Sequence, residues 1–248
     1  MKVLMVGESW IKHIIHIKGF DTFTNSEYGD GVSWLRKALN GAGIEMEHLP
    51  GHLAGDSFPV NLKDLQEYDV VFLSDIGSNT LLLSEDTFTH GKIRPNRLDL
   101  IKQYVEQGGG FSMIGGYMSF QGIDCKGRYK NTPIEEILPV ELYEFDDRAE
   151  HPEGVYIEIT KKEHPILKDI TGDWPHFLGY NKLKSKPNST VIAQHNGNPF
   201  IAVGEYGNGR TMAFASDCAP HWGSKEFVEW EHYSTFWVNS VKWLANNS

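Results

Sequence analysis

The chain has 248 residues, of which 40% are hydrophobic and 23% charged, with a formal net charge of -10. These totals suit one large soluble α/β domain or two small ones. An acidic chain of pI near 5.5 lacks the basic face that nucleic acid or an anionic membrane surface would demand. With no apolar run of about 18 residues, no signal-peptide pattern and only Cys125 and Cys218 as thiols, the expected compartment is the cytoplasm.

Lys2 to Val6 is an apolar run ending at Gly7 and reads as a buried parallel strand, with Glu8-Ser9-Trp10 at its C-terminal end. Val32 to Leu39 has helical spacing, with Gly41 and Gly43 as stops. Ile44 to Leu49 is a second strand, and Pro59 to Tyr68 holds a short helix. Asp69 to Leu73 is a third strand, leading into Ser74-Asp75-Ile76-Gly77. Arg97 to Gln107 is a helix with Leu98, Ile101, Tyr104 and Val105 on one face, and Phe111 to Ile114 is a fourth strand.

The pattern changes from Val140 to Ile159, where VELYEF and GVYIEIT read as two strands around the charged turn Asp146-Asp147-Arg148-Ala149-Glu150. Val191 to Ala193, Phe200 to Gly204 and Arg210 to Ala215 follow as strands, the last two joined by turn residues. Phe227 to Leu244 closes the chain as a helix whose core stripe is Phe227, Trp230, Ser234, Trp237, Val241 and Leu244. The alternation predicts a mostly parallel sheet with right-handed crossovers in one domain over 1–248, carrying a β-rich insertion around 138–190. Ligands of such sheets bind beyond the carboxyl ends of the strands. Here those ends carry Glu8, Asp75 and the segment from Gly116 to Gln121.

Gly115-Gly116-Tyr117-Met118-Ser119-Phe120-Gln121 has the small residues of a turn that lifts one side chain above a sheet. In the nucleophile elbow G-x-S-x-G that side chain is the nucleophile, and a helix follows. This segment resembles the elbow of class I glutamine amidotransferases, G-x-C-x-G-x-Q. HIKGFDTF, YDVVFLSDIGSNTLLL, GGGFSMIGGYMSFQGI, DDRAEHPEG and FASDCAPHWG are similar to a branch of glutamine amidotransferase-like proteins akin to trehalose-utilisation proteins. The resemblance implies an α/β fold, a flavodoxin-like three-layer sandwich with a mostly parallel sheet.

The activity does not follow from it. The family's chemistry takes a cysteine, a histidine that accepts its proton and an acid that orients the histidine. Position 117 is tyrosine, roughly 0.1% phenolate at neutral pH from a pKa of about 10. His221 is the candidate base, but Gly223 stands where its glutamate would be. Gly77 and the Met118 N–H occupy the places of an oxyanion hole.

The expected function is therefore a small-molecule-binding pseudoenzyme with Tyr117 and His221 at its centre. Glu8, Asp75, Gly77, Gly116, Met118, Gln121, Asp217 and Trp222 are its binding candidates, Trp222 as a stacking wall. The alternatives are a hydrolase or isomerase on a sugar or amide, with His221 as base and Tyr117 as acid, and an interaction subunit. A homo-oligomer or a partner subunit is compatible with either. Cys218 reads as a displaced nucleophile beside His221 or as a buried free thiol. His13/His16 and His48/His52 lack the surrounding pattern of a metal site, and neither metal nor cofactor is expected. The 146–150 turn reads as a solvated, self-paired surface or as a lip over the pocket.

Overall fold

The computed structural model describes residues 1–246. Its strands in chain order are β1 (Lys2–Gly7), β2 (Ser9–Lys18), β3 (Asp21–Asp30), β4 (Glu45–Leu49), β5 (Val70–Ser74), β6 (Gly110–Ile114) and β7 (Val140–Glu141). They continue as β8 (Arg148–Val155), β9 (Glu158–Ile159), β10 (Phe177–Asn181), β11 (Lys184–Ser185), β12 (Thr190–His195), β13 (Asn198–Tyr206) and β14 (Gly209–Phe214). Eight of them form one sheet in the order β4-β1-β5-β6-β14-β13-β12-β9. The pairings from β4 to β14 are parallel. Those from β14 to β9 are antiparallel.

The parallel strands are near-continuous apolar runs because both of their faces are covered; every residue of β5 and β6 is buried. One helix group, Ser33–Gly41 with Tyr233–Leu244, packs on the sheet. A second centres on Arg97–Glu106, against Leu62–Leu65, Ser78–Leu82 and Pro133–Ile137. Helix 97–106 begins where Asn96 Oδ1 accepts from the N–H groups of Leu98 and Asp99. Its Leu98, Ile101, Tyr104 and Val105 are all buried, as their spacing requires.

The structure departs from the sequence reading in four places. Residues 9–30 form a ten-pair antiparallel hairpin, β2–β3. No buried face imposes a strand pattern on these residues, since both strands are largely exposed. The strand expected over GVYIEIT is split: β8 begins at Arg148, inside the expected turn, and β9 is a separate two-residue addition to the main sheet. The small pairs β8–β10 and β7–β11 lie outside that sheet.

The closing helix is interrupted. Lys225–Val228 and Tyr233–Leu244 are separate, and the break shifts the helical phase. Ser234 is consequently exposed, and Tyr233, Phe236 and Ser240 join Trp237, Val241 and Leu244 in the buried set. Finally, no helix follows the Gly115–Gln121 turn directly; the chain continues through bends to a 3-10 turn at Ile123–Cys125.

Candidate functional site

The loops after β1, β5 and β6 meet at the carboxyl ends of the parallel strands. Each holds a non-glycine residue in the left-handed region: Glu8 at φ 47°, Asp75 at φ 46° and Phe120 at φ 51°. Such backbone is strained and persists only where neighbours over-determine it. Tyr117 is not among these residues, so the strain lies beside the expected elbow position rather than on it.

The small residues of the turn make room for neighbouring groups. A Cβ on Gly115 would lie 2.3 Å from the Ala215 carbonyl oxygen and 2.9 Å from Asn181 Oδ1. On Gly116 it would meet Asp75 Oδ1 at 3.0 Å, in a backbone with φ 154°. Ser119 accepts from the Asp75 N–H and donates to the Ile114 carbonyl, tying the β5 loop to the β6 loop.

Asp75 then fills the space that an oxyanion would take. Its Oδ1 accepts from the Met118 N–H at 2.7 Å. Of the two donors expected at Gly77 and Met118, the Met118 N–H is thus taken by a carboxylate of the chain itself. Burial raises the pKa of Asp75, opposed by the Met118 N–H and by the nearby His221.

On one side of this contact lies an aromatic cluster. Tyr117 meets His221 edge-to-face with ring centroids 4.6 Å apart, and Trp222 at 5.6 Å. The Arg148 guanidinium stands over the Tyr117 ring at 4.6 Å. Arg148 is itself clamped by Asp146 through two hydrogen bonds of 2.9 and 2.8 Å, which hold Asp146 down to about 2. Glu150 accepts from Trp222 Nε1 at 2.9 Å. Burial and Glu150 together raise the Tyr117 pKa, so the phenol stays neutral and is a weaker nucleophile than a free tyrosine. The 146–150 turn therefore packs on Tyr117 and Trp222.

Asp147 is different from its neighbours: it is fully buried. It accepts from the N–H groups of Gln121 and Gly122 and from Asn181 Nδ2. Asn181 in turn accepts from the Gly116 N–H. Asp147 and Asn181 brace the Tyr117 turn from beneath. Burial pushes Asp147 up to about 6 against those donors. Nothing in the local sequence distinguishes Asp147 from Asp146; the fold alone turns one inward.

On the other side of Asp75 is a cleft of about 250 Å³ lined by Ser9, Trp10, Gly51, His52, Asp75 and Thr80, with Gly77 and Met118 beneath. Gln121 belongs to neither side. It opens onto a separate cleft of about 360 Å³ with Asn79, Cys125 and Arg128.

Three candidates lie away from these surfaces. Trp222 is buried, so its indole is no stacking wall for a ligand; it packs under Tyr117 instead. Glu8 and Asp217 are sealed below the turn, Glu8 accepting from Ser74 Oγ. A donor atom from each of Glu8, Asp217 and Cys218 lies within 4.8 Å of the others. Burial raises the pKa of all three. The buried Cys218 is unsuited to act as a thiolate.

The histidine pairs do not converge either. His13 and His16 lie on opposite faces of β2, bonded to Ser26 and Asn25. His48 bonds the Gly7 carbonyl. At position 223 a Cβ would lie 2.7 Å from the carbonyl oxygens of Asp217 and Ala219, so an orienting glutamate has no room there.

A family model described as "Putative glutamine amidotransferase" matches residues 2–246. The chain is similar to the cytoplasmic protein STM3548 from Salmonella typhimurium, with 45% identity and a TM-score of 0.95 over 98% of this chain and 99% of that one. It is also similar to the cytoplasmic protein STM1381 from Salmonella typhimurium LT2, with 48% identity and a TM-score of 0.94 over the same shares. A "Putative thua-like protein" from Bacteroides uniformis shares the fold at 14% identity and a TM-score of 0.56, over 98% of this chain and 90% of that one. No curated protein matches the chain. No helix among the described residues is long and apolar enough to cross a membrane.

Proposed function

Because the chain belongs to the glutamine amidotransferase-like family over 2–246, we propose that it is a cytoplasmic small-molecule-binding member that does not hydrolyse glutamine. The observation that carries this reading is the Asp75 carboxylate on the Met118 N–H at 2.7 Å. An amide hydrolase needs that N–H free for the charge that develops on the substrate oxygen. A resident carboxylate there repels that charge. Tyr117 adds a neutral phenol where a thiolate is required, and His221 has no room for its glutamate.

What the cleft offers suits a neutral polar ligand such as a sugar or an amide. Trp10 supplies an aromatic edge, while Ser9, His52, Asp75 and Thr80 supply donors and acceptors. The volume of about 250 Å³ limits the ligand to about one ring.

Two assays test the reading. Ammonia release from glutamine should be absent in the wild type and in Tyr117→Cys; release by the wild type overturns the proposal. A thermal-shift panel of sugars, amides and amino acids should yield a stabilising ligand, worth about 2.7 kcal/mol at a hundred times its Kd. That shift should vanish in Thr80→Trp, which fills the cleft. Silence across the panel removes the binding half of the proposal.

A further inference from the structure

The hairpin β2–β3 leaves the body at the end of β1 and returns to it only at its root. There the Gly51 N–H donates to Ser9 Oγ, and Trp10 and Ile11 stand beside His52. Beyond the root almost every side chain of both strands is exposed. Ten cross-strand pairs make an arm about 30 Å long. A two-stranded ribbon of this kind is marginal by itself in water and presents unpaired edges.

The register sorts its side chains. One face carries Lys12 opposite Glu27, and Lys18 opposite Asp21. Lys12 also lies over the Trp10 ring, and His16 stacks on Phe23 at 4.4 Å. That face carries charges of both signs. The opposite face carries Ile11, Ile15, Ile17 and Tyr28, at 48%, 67%, 74% and 51% exposure, with Ser26, Thr24 and Thr22 between them. His13 is its one basic residue, bonded to Ser26, and Asp30 at the root its one acid. Phe20 stands fully exposed at the tip.

We infer that this apolar face, free of lysine and glutamate, packs against a second copy of the chain, making a twofold dimer through the arms. The argument is electrostatic as well as apolar. Two copies of a chain of net charge -10 repel one another over most of their surface. A twofold contact buries the same patch of both copies, residue i meeting j and j meeting i, so a patch of one sign meets like charge. The Ile11–Ile17 face avoids both penalties, because the arm's Lys and Glu residues are turned to the other side. A foreign partner chosen by charge would be met by that other face.

Sedimentation velocity of the full chain, with a concentration series, tests the inference. The wild type should sediment with twice the 28.1 kDa of one chain. Ile15→Glu/Ile17→Glu should weaken association at least tenfold, while Phe88→Glu, an exposed apolar position away from the arm, should leave it unchanged. If the double glutamate variant fails to fold, Thr22→Lys/Thr24→Lys places charge on the same face through the other strand. A wild type that sediments as one chain at every concentration overturns the inference. So does a dimer whose dissociation constant is indifferent to charge on this face.

Discussion

Asp75 Oδ1 lies 2.7 Å from the Met118 nitrogen, so a carboxylate of the chain itself takes the backbone donor that follows Tyr117. This hydrogen bond exists because Gly116 has no side chain to hold the carboxylate away and because Ser119 anchors the Asp75 N–H. The glycines that make the turn resemble a nucleophile elbow serve here to admit an acid.

Asp75→Ala should destabilise the fold by roughly 1–3 kcal/mol, since it leaves the Met118 N–H unpaired and puts alanine at φ 46°. Asp75→Asn keeps an acceptor and tolerates the left-handed backbone, so it should lose much less. Urea denaturation of the two variants compares them directly. Equal losses would mean that the hydrogen bond contributes nothing.

Glu8 supplies a pH dependence with a definite sign. Burial raises its folded pKa from 4.5 to about 7, so the folded state holds the proton more tightly than the unfolded chain does. The stability it confers is greatest below the unfolded pKa and is lost as pH rises through the folded one. Glu8→Gln, which stays neutral, should therefore stabilise the protein at pH about 8, by on the order of 3 kcal/mol at 1.4 kcal/mol per pKa unit. It should have little effect near pH 4. Melting temperatures of both proteins across that range test this, and a variant less stable at pH 8 contradicts it.

Replacing Asp147 should be among the most damaging changes in the site. Asp147→Ala strands the N–H groups of Gln121 and Gly122 and the amide of Asn181, for an expected loss of about 3–5 kcal/mol. Asp146→Ala, at a half-buried ion pair, should lose less, about 1 kcal/mol. Chemical denaturation of these adjacent variants reads the difference between a buried brace and a surface charge.

Tyr117 reports its two charged neighbours in opposite directions. Its pKa is raised by burial and by Glu150 and lowered by Arg148. Glu150→Gln should bring the Tyr117 titration down, and Arg148→Met should take it up. Carbon-labelled tyrosine observed by NMR resolves the single side chain, and shifts of the same sign in both variants would refute this arrangement.

Much of the framework was legible in the chain. β1, β5 and β6 announce themselves because a strand covered on both faces needs an unbroken apolar run. The 97–106 helix does so because its four buried residues share one face at helical spacing. The arm was not legible, since neither face of β2–β3 is buried and no hydrophobic alternation is enforced. The interruption at 229–232 leaves no mark in the sequence because both halves keep apolar spacing while their phase changes between them.

The candidate site divides along the same line. The sequence by itself determined the family, the parallel sheet and the presence of a turn at 115–121 with tyrosine in place of cysteine, because these depend on local spacing and on residue chemistry. Only the tertiary structure decided which acids face the site. Asp75 enters the hole, Glu8 and Asp217 are sealed beneath, and Asp147 turns inward while Asp146 holds Arg148 over Tyr117. A carboxylate has the same chemistry wherever it stands in a chain. Its role comes from the donors and the burial that distant segments bring to it, and those are set by packing over 25 to 72 residues of separation.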